Sequence, residues 1–216
     1  MTRASMPFPA FAVSLLLALV AVSPPRTASA QEEDRVVPPG IGYVQGDGAA
    51  SVVVVEFGDF GCPACGEFAR ETLPALRDEF IDTGRVRWTF VPFVLGAFPN
   101  GGEAARAAEC AADQDAFWAM HDRLYADQEQ WLDEGDPREI FVGYAADHGL
   151  DADAFERCYR DDAVEERTER ANEAARAARV RGTPTFFVNG RRVEGALPID
   201  PFRELLTDAE AEGPQI

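Results

Sequence analysis

The sequence lacks lysine altogether and is poor in positive charge of any kind. Its 216 residues carry 20 basic side chains, all of them arginine, against 38 acidic ones, so the formal net charge is −18. A surface of this sign repels the phosphates of nucleic acids and the headgroups of anionic membranes. We therefore expect no nucleic-acid partner, and we interpret the acidity as a general solubility or salt adaptation.

The sequence also lacks an apolar run that would cross a bilayer comfortably. The run at residues 11–22 has about a dozen residues, whereas a transmembrane helix needs about 20. Arg3 precedes this run and an A-x-A pattern at residues 28–30 follows it, which is typical of a cleaved signal peptide. Residues 1–30 are therefore predicted to be removed after Ala30, leaving a periplasmic or otherwise exported protein. An uncleaved anchor is the alternative.

Metal ligands are scarce, since the chain has four cysteines and two histidines. A structural zinc site needs four ligands, which usually come as two close Cys or His pairs. Cys62 and Cys65 form one such pair, but no second pair lies close together in the sequence. We therefore expect no metal, and a non-catalytic metal-binding module that uses these two cysteines is the alternative.

The four cysteines are an even number, and disulfides persist in an exported protein. Cys62 and Cys65 are tied to each other by their proximity in the chain. This leaves Cys110 to pair with Cys158 in a structural disulfide, with two free buried thiols as the alternative.

Residues 52–65 read V-V-V-V-E-F-G-D-F-G-C-P-A-C. The apolar run without alternation predicts a strand covered on both faces. Helical spacing of apolar residues then predicts a helix over residues 62–81, with Pro63 in its first turn and a kink at Pro74. The partial positive charge of a helix N-terminus favours a thiolate at Cys62, the predicted nucleophile, and Cys65 is placed to resolve a mixed disulfide.

The order of the predicted elements indicates an α/β fold. A strand at residues 86–93 should run parallel to the first strand, and a short edge strand is expected near Tyr43. Five helices are predicted within residues 100–179, followed by a hairpin of residues 185–188 and 191–194 and a last helix at 198–209. We divide the chain into a signal peptide (1–30), a linker (31–49), a core (50–99 and 180–210), a helical insertion (100–179) and a tail (211–216).

Three segments carry a resemblance to a known family. E-F-G-D-F-G-C-P-A-C, F-W-A-M-H-D-R-L-Y and G-T-P-T-F-F-V-N-G resemble the DsbA-like branch of the thioredoxin superfamily, over about residues 50–206. The resemblance implies a thioredoxin-like core sheet with an inserted α-helical domain, with Cys62 as nucleophile and Cys65 as resolving cysteine. It also implies that Thr183-Pro184 is a cis-proline loop that presents backbone groups to an extended substrate. An ordinary turn before a strand is the alternative for this loop.

Glu56 lies on the predicted strand, six residues before Cys62, where the resemblance implies a buried acid. Burial would raise the pKa of its carboxyl group, which could then relay the proton of Cys65. A strand-end charge that reaches solvent is the alternative. Asp59 is a competing candidate, but its turn position predicts an exposed side chain.

The resemblance implies an exported thiol–disulfide oxidoreductase that introduces disulfides into cysteine-containing exported proteins. It implies no cofactor beyond the Cys62–Cys65 disulfide and a membrane redox partner that regenerates it, and we expect a monomer. Ala64 stands where the most oxidising relatives carry histidine, so a reductase or isomerase of the same fold is the alternative. Residues 31–49 are too short for the N-terminal dimerisation domain typical of isomerases.

Overall fold

A computed structural model describes Met1 and residues 36–213 of the chain. Residues 2–30 of the predicted signal peptide, residues 31–35 of the linker and residues 214–216 of the tail therefore lie outside the described residues. None of the helices in residues 36–213 is both long enough and apolar enough to cross a membrane. The division into a core and an insertion stays a prediction.

Five strands form the central sheet. They are β1 (Tyr43–Gln45), β2 (Val52–Gly58), β3 (Val86–Pro92), β4 (Thr185–Val188) and β5 (Arg191–Glu194). Their spatial order is β1-β3-β2-β4-β5, in which β2 and β3 are parallel and the other pairs are antiparallel. The parallel pair and the edge strand β1 confirm the predicted topology, and the hairpin of β4 and β5 has the predicted bounds.

The helical stretch after β2 is divided into three parts. They are α1 (Pro63–Glu71), α2 (Leu73–Leu76) and a π-helical turn (Arg77–Ile81). The predicted continuous helix is therefore interrupted at Thr72, two residues before the proline that was expected to kink it. Pro74 lies in the first turn of α2, where its missing N–H requires no partner, so the helix restarts just ahead of it.

Six helices lie between β3 and β4, and one follows β5. They are α3 (Gly101–Ala112), α4 (Phe117–Ala126), α5 (Gln128–Trp131), α6 (Arg138–Asp147), α7 (Ala152–Tyr159), α8 (Asp162–Ala177) and α9 (Ile199–Glu212). Five of the six were predicted. The sixth, α5, is a single turn and is too short to produce a periodic pattern.

Apolar side chains of the sheet and of the helices between β3 and β4 pack around the end of β2 that leads into α1. Phe60 and Phe90 belong to the same buried cluster as Cys62, Cys65 and the inner faces of α3 to α7. A second buried cluster contains Phe68 of α1 together with apolar residues of the following helical turns, of the sheet and of α9. Buried apolar groups of two clusters therefore hold α1, with its two cysteines in the first and Phe68 in the second.

Candidate active site

Cys62 is the N-cap residue of α1, and Cys65 is the third residue of that helix. The turn from β2 brings them there, because the Cys62 N–H donates to the Asp59 carbonyl oxygen at 3.0 Å. Both cysteines are free thiols, with 3% and 0% of their surface exposed. The structure therefore places the two predicted catalytic sulfurs at the positive end of a helix, largely shielded from water.

The two thiols differ in acidity. The pKa of Cys62 is lowered to about 6, chiefly because the Cys65 thiol donates a hydrogen bond to the thiolate. The backbone N–H groups of Ala64 and Cys65 add to this effect, which outweighs the opposing effect of burial. Burial raises the pKa of Cys65, and the neighbouring Cys62 raises it further. At neutral pH Cys62 is therefore the thiolate, and Cys65 keeps its proton.

The loop before β4 lies against the dithiol. Its Thr183–Pro184 peptide bond is cis, and the Cys62 sulfur lies 3.4 Å from the Thr183 carbonyl oxygen, to which it donates when it is protonated. The loop is held to its own hairpin by two hydrogen bonds, from the Thr185 hydroxyl to the Gly182 carbonyl and from the Gly195 N–H to the Pro184 carbonyl. Residues 121 positions apart in the sequence thus meet at the Cys62 sulfur.

Glu56 lies on β2 with only 1% of its surface exposed. Its carboxyl group accepts a hydrogen bond from the Trp88 indole N–H at 3.0 Å. Burial raises the pKa of Glu56 to about 8, and the bond from Trp88 opposes this rise only in part. Glu56 in turn contributes to the raised pKa of Cys65. A carboxyl group that is protonated at neutral pH therefore lies within electrostatic reach of the resolving cysteine.

Replacing Glu56 with glutamine is expected to remove a pH-dependent loss of stability. The carboxyl pKa rises from 4.5 to about 8 on folding, so the folded protein keeps a proton that the unfolded chain releases between these values. The free energy of unfolding should therefore fall as the pH rises from 4.5 to 8, and Glu56→Gln should not share that fall. Urea unfolding of both proteins across this range measures the effect, and a stability difference that does not grow with pH would contradict it.

Asp59 is buried, with 1% of its surface exposed, so the prediction of an exposed side chain was wrong. The turn folds the carboxylate inward because two backbone donors satisfy it there. The Gly61 N–H and the Leu95 N–H each donate to one of its oxygens at 2.9 Å. Asp59 therefore ties the turn before Cys62 to the loop that leaves β3, and these bonds oppose the rise in its pKa that burial causes.

Sequence reasoning missed two polar side chains that the helices bring to this turn. The Tyr125 hydroxyl on α4 donates to the Asp59 carbonyl oxygen at 3.3 Å. The Gln128 amide on α5 donates to the carbonyl oxygens of Phe60 and Cys62, at 2.6 and 3.0 Å. Tyr125 is recognisable in the sequence only as part of an apolar helix face. Gln128 has no local signal, because its partners lie more than 60 residues earlier in the chain.

Among residues 36–213, no group of three or more Cys, His, Asp or Glu side chains could hold a metal ion. Cys110 on α3 and Cys158 on α7, the other two cysteines, are joined in a disulfide. This is the pairing that the even number of cysteines predicts. The chemistry available at the N-terminus of α1 is therefore that of a dithiol with one acidic member, a neighbouring carboxyl group and an adjacent loop carbonyl.

Comparison with known proteins places this arrangement among related chains. A family model described as thioredoxin matches residues 40–208. A probable disulfide bond formation protein D of Bacillus anthracis is 33% identical over 144 residues, which cover 65% of this chain and 66% of that protein. A Na⁺/H⁺ antiporter NhaA 1 of Salinispora arenicola is 40% identical over 182 residues, or 82% of this chain. The chain spans about a quarter of that antiporter's length, 26%.

Solved structures share the fold at lower sequence identity. The alpha-DsbA1 of Wolbachia pipientis superposes with a TM-score of 0.73 and 21% identity, over 82% of this chain and 94% of that one. Oxidised BdbD of Bacillus subtilis superposes with a TM-score of 0.71 and 24% identity, over 78% and 92% of the two chains. These similarities confirm the predicted combination of a thioredoxin-like sheet with many helices.

Proposed function

Because the chain belongs to the DsbA-like branch of the thioredoxin superfamily, a family of thiol–disulfide oxidoreductases, we propose that it introduces disulfides into exported proteins. DsbA-like proteins use a redox-active disulfide and need no further cofactor. The observation that carries the proposal is the contrast between two neighbouring thiols. Cys62 has a pKa lowered to about 6 beside a loop carbonyl, whereas Cys65 has a raised pKa in the interior.

The first step consumes the oxidised form, in which Cys62 and Cys65 are bonded. A substrate thiolate attacks the Cys62 sulfur, forms a mixed disulfide and expels the Cys65 sulfur as a thiolate. A Cys65 thiolate is costly in its buried position, so it takes up a proton. Glu56 is protonated at neutral pH and supplies that proton, becoming a carboxylate.

The second step transfers the disulfide to the substrate. A second substrate thiolate attacks the substrate's own sulfur in the mixed disulfide and expels Cys62 as a thiolate. Cys62 leaves readily because its pKa is low. The substrate has lost two electrons and gained a disulfide, and the protein now holds a Cys62 thiolate and a Cys65 thiol. A membrane redox partner then accepts the two electrons and restores the disulfide.

The loop before β4 is proposed to align the substrate for both steps. The Thr183 carbonyl oxygen lies at the Cys62 sulfur, so an extended substrate segment that pairs with this backbone would bring its cysteine to the same point. Pro184 is buried and fixes the direction of the loop.

Direction of electron flow follows from the stability of the reduced form. A low pKa at Cys62 stabilises the thiolate and hence the reduced protein, which makes the disulfide a stronger oxidant. The hydrogen bond from the Cys65 thiol supplies most of this effect, and the N–H groups of Cys65 and Ala64 add to it, in a chain that has Ala64 between its cysteines. We therefore favour disulfide donation over the reductase or isomerase alternative.

Two assays of the purified protein test the proposal side by side. Each equivalent of oxidised protein should form one disulfide in a reduced, unfolded substrate. It should be a poor catalyst of insulin reduction by dithiothreitol. Rapid insulin reduction without disulfide donation would support the reductase alternative, and stoichiometric bound metal with neither activity would support the metal-binding one.

A further inference from the structure

The Gln128 side chain is buried beneath the turn that leads into the dithiol, with 5% of the residue exposed. Both of its amide N–H groups are used. One donates to the Phe60 carbonyl oxygen at 2.6 Å, and the other donates to the Cys62 carbonyl oxygen at 3.0 Å. A primary amide has two N–H donors, and here both are hydrogen-bonded to the backbone of one turn.

The Cys62 carbonyl oxygen also accepts the first hydrogen bond of α1, from the Gly66 N–H at 3.1 Å. Gln128 therefore bonds the same atom that closes the first helical turn. The N–H groups that this turn aims at the Cys62 sulfur belong to Ala64 and Cys65. The orientation of these donors depends on the backbone that Gln128 holds.

Gly66 provides an independent observation. A Cβ atom at this position would overlap the Gln128 Oε1 atom and would also crowd the Arg70 guanidinium. Glycine inside a helix is less favourable than alanine, because it loses more backbone freedom on folding. Because Gly66 has no side chain, the Gln128 amide can occupy the space next to the helix at this position.

We propose that Gln128 is a positioning residue for the Cys62 nucleophile, acting through the backbone carbonyls of the turn before α1. Its amide keeps the first turn of the helix in register with the Cys62 sulfur. The inference rests on the proposed function only in taking Cys62 as the nucleophile. Gln128 belongs to α5, a single helical turn between β3 and β4. The proposal therefore gives this short helix a part in stabilising the Cys62 thiolate.

The central test replaces Gln128 with methionine, which keeps the side-chain length and removes both donors. The pKa of Cys62 is read from the pH dependence of thiolate absorbance in the purified reduced protein. We expect Gln128→Met to raise this pKa by about 0.5–1 pH unit, the size of a lost helix-terminus interaction. The equilibrium constant with glutathione should shift about 3- to 10-fold toward the disulfide form of the protein. Gln130→Met, at an exposed neighbouring position, is the matched control and should change neither value.

Gly66→Ala tests the same contact from the opposite side. The added methyl group should displace the Gln128 amide and raise the Cys62 pKa in the same direction. Combined with Gln128→Met, it should add little, because the contact that it disturbs is already gone. This pair of variants also serves if Gln128→Met does not fold, since Gly66→Ala removes no buried polar group.

A Cys62 pKa that stays unchanged in folded Gln128→Met, even with lowered thermal stability, would overturn the positioning role. Fully additive effects of Gly66→Ala and Gln128→Met would overturn it as well. Failure of the proposed function looks different. In that case Gln128→Met would still raise the Cys62 pKa, but the unmodified protein would exchange no disulfides with a substrate.

Discussion

Replacing Cys62 with serine is expected to reduce thiol–disulfide exchange with any substrate to the uncatalysed rate. The reason is that, of the two neighbouring cysteines, Cys62 is the one whose sulfur lies beside the Thr183 carbonyl oxygen and whose pKa is lowered. Cys65 cannot substitute for it, because its sulfur is fully buried and its pKa is raised. The measurement is the rate of disulfide formation in a reduced substrate, with the unmodified oxidised protein as reference.

Cys65→Ser is the matched control for this experiment. It removes the resolving thiol but keeps the Cys62 nucleophile. With a substrate that contains a disulfide, the Cys62 thiolate attacks one substrate sulfur and the other leaves as a thiolate, so Cys65→Ser should accumulate a mixed disulfide that Cys62→Ser cannot form. Mass spectrometry of the trapped adduct distinguishes the two variants. Exchange activity that survives in Cys62→Ser would contradict the assignment of the nucleophile.

Removing the Cys110–Cys158 disulfide is expected to lower the free energy of unfolding by about 2–4 kcal/mol. The two cysteines are 48 residues apart in the sequence, so the bond closes a long loop and restricts the unfolded chain. It also joins α3 to α7 across the helices that contribute Tyr125 and Gln128 to the dithiol turn. Urea unfolding of the Cys110→Ala, Cys158→Ala double variant measures the loss.

The comparison is best made in a background in which Cys62 and Cys65 are both alanine, because a reductant then acts on one disulfide alone. Adding dithiothreitol to that background should reproduce the loss seen on mutation, and it should not affect the double variant further. A loss well below about 1 kcal/mol would mean that the Cys110–Cys158 bond contributes little to the stability of the fold.

Local patterns were sufficient for the strands and for the placement of the dithiol. The unbroken β-branched run predicts a strand covered on both faces, and six of the seven residues of β2 are buried. Val54 belongs to one apolar cluster, and Val55 and Phe57, which point to the other face, belong to another. Asn189-Gly190 predicts the tight hairpin because both residues adopt positive φ, at 46° and 83°. Pro63 behind Cys62 predicts the start of a helix, and α1 begins at that proline. In each case the determining interactions lie within a few residues.

The missed features depend on partners distant in the sequence. Asp59 lies in a turn, where an exposed side chain is expected, and one of the two donors that satisfy its buried carboxylate is the Leu95 N–H, 36 residues away. Gln128 meets Cys62 across 66 residues. The helix ends at Glu71 and restarts at Leu73, whereas Pro74 alone predicts a kink. Local sequence patterns do not reveal such contacts between residues that are far apart in the chain.

The redox equilibrium of the Cys62–Cys65 pair with glutathione tests the central claim most directly. If the lowered Cys62 pKa stabilises the reduced form, the protein is a disulfide donor. Its reduction potential should then lie toward the oxidising end of the superfamily, at about −120 mV. The measurement needs only the purified protein, a series of glutathione buffers and a separation of its oxidised and reduced forms. A reduction potential of about −270 mV, the value of thioredoxin, would identify a reductant and contradict the proposed direction of electron flow.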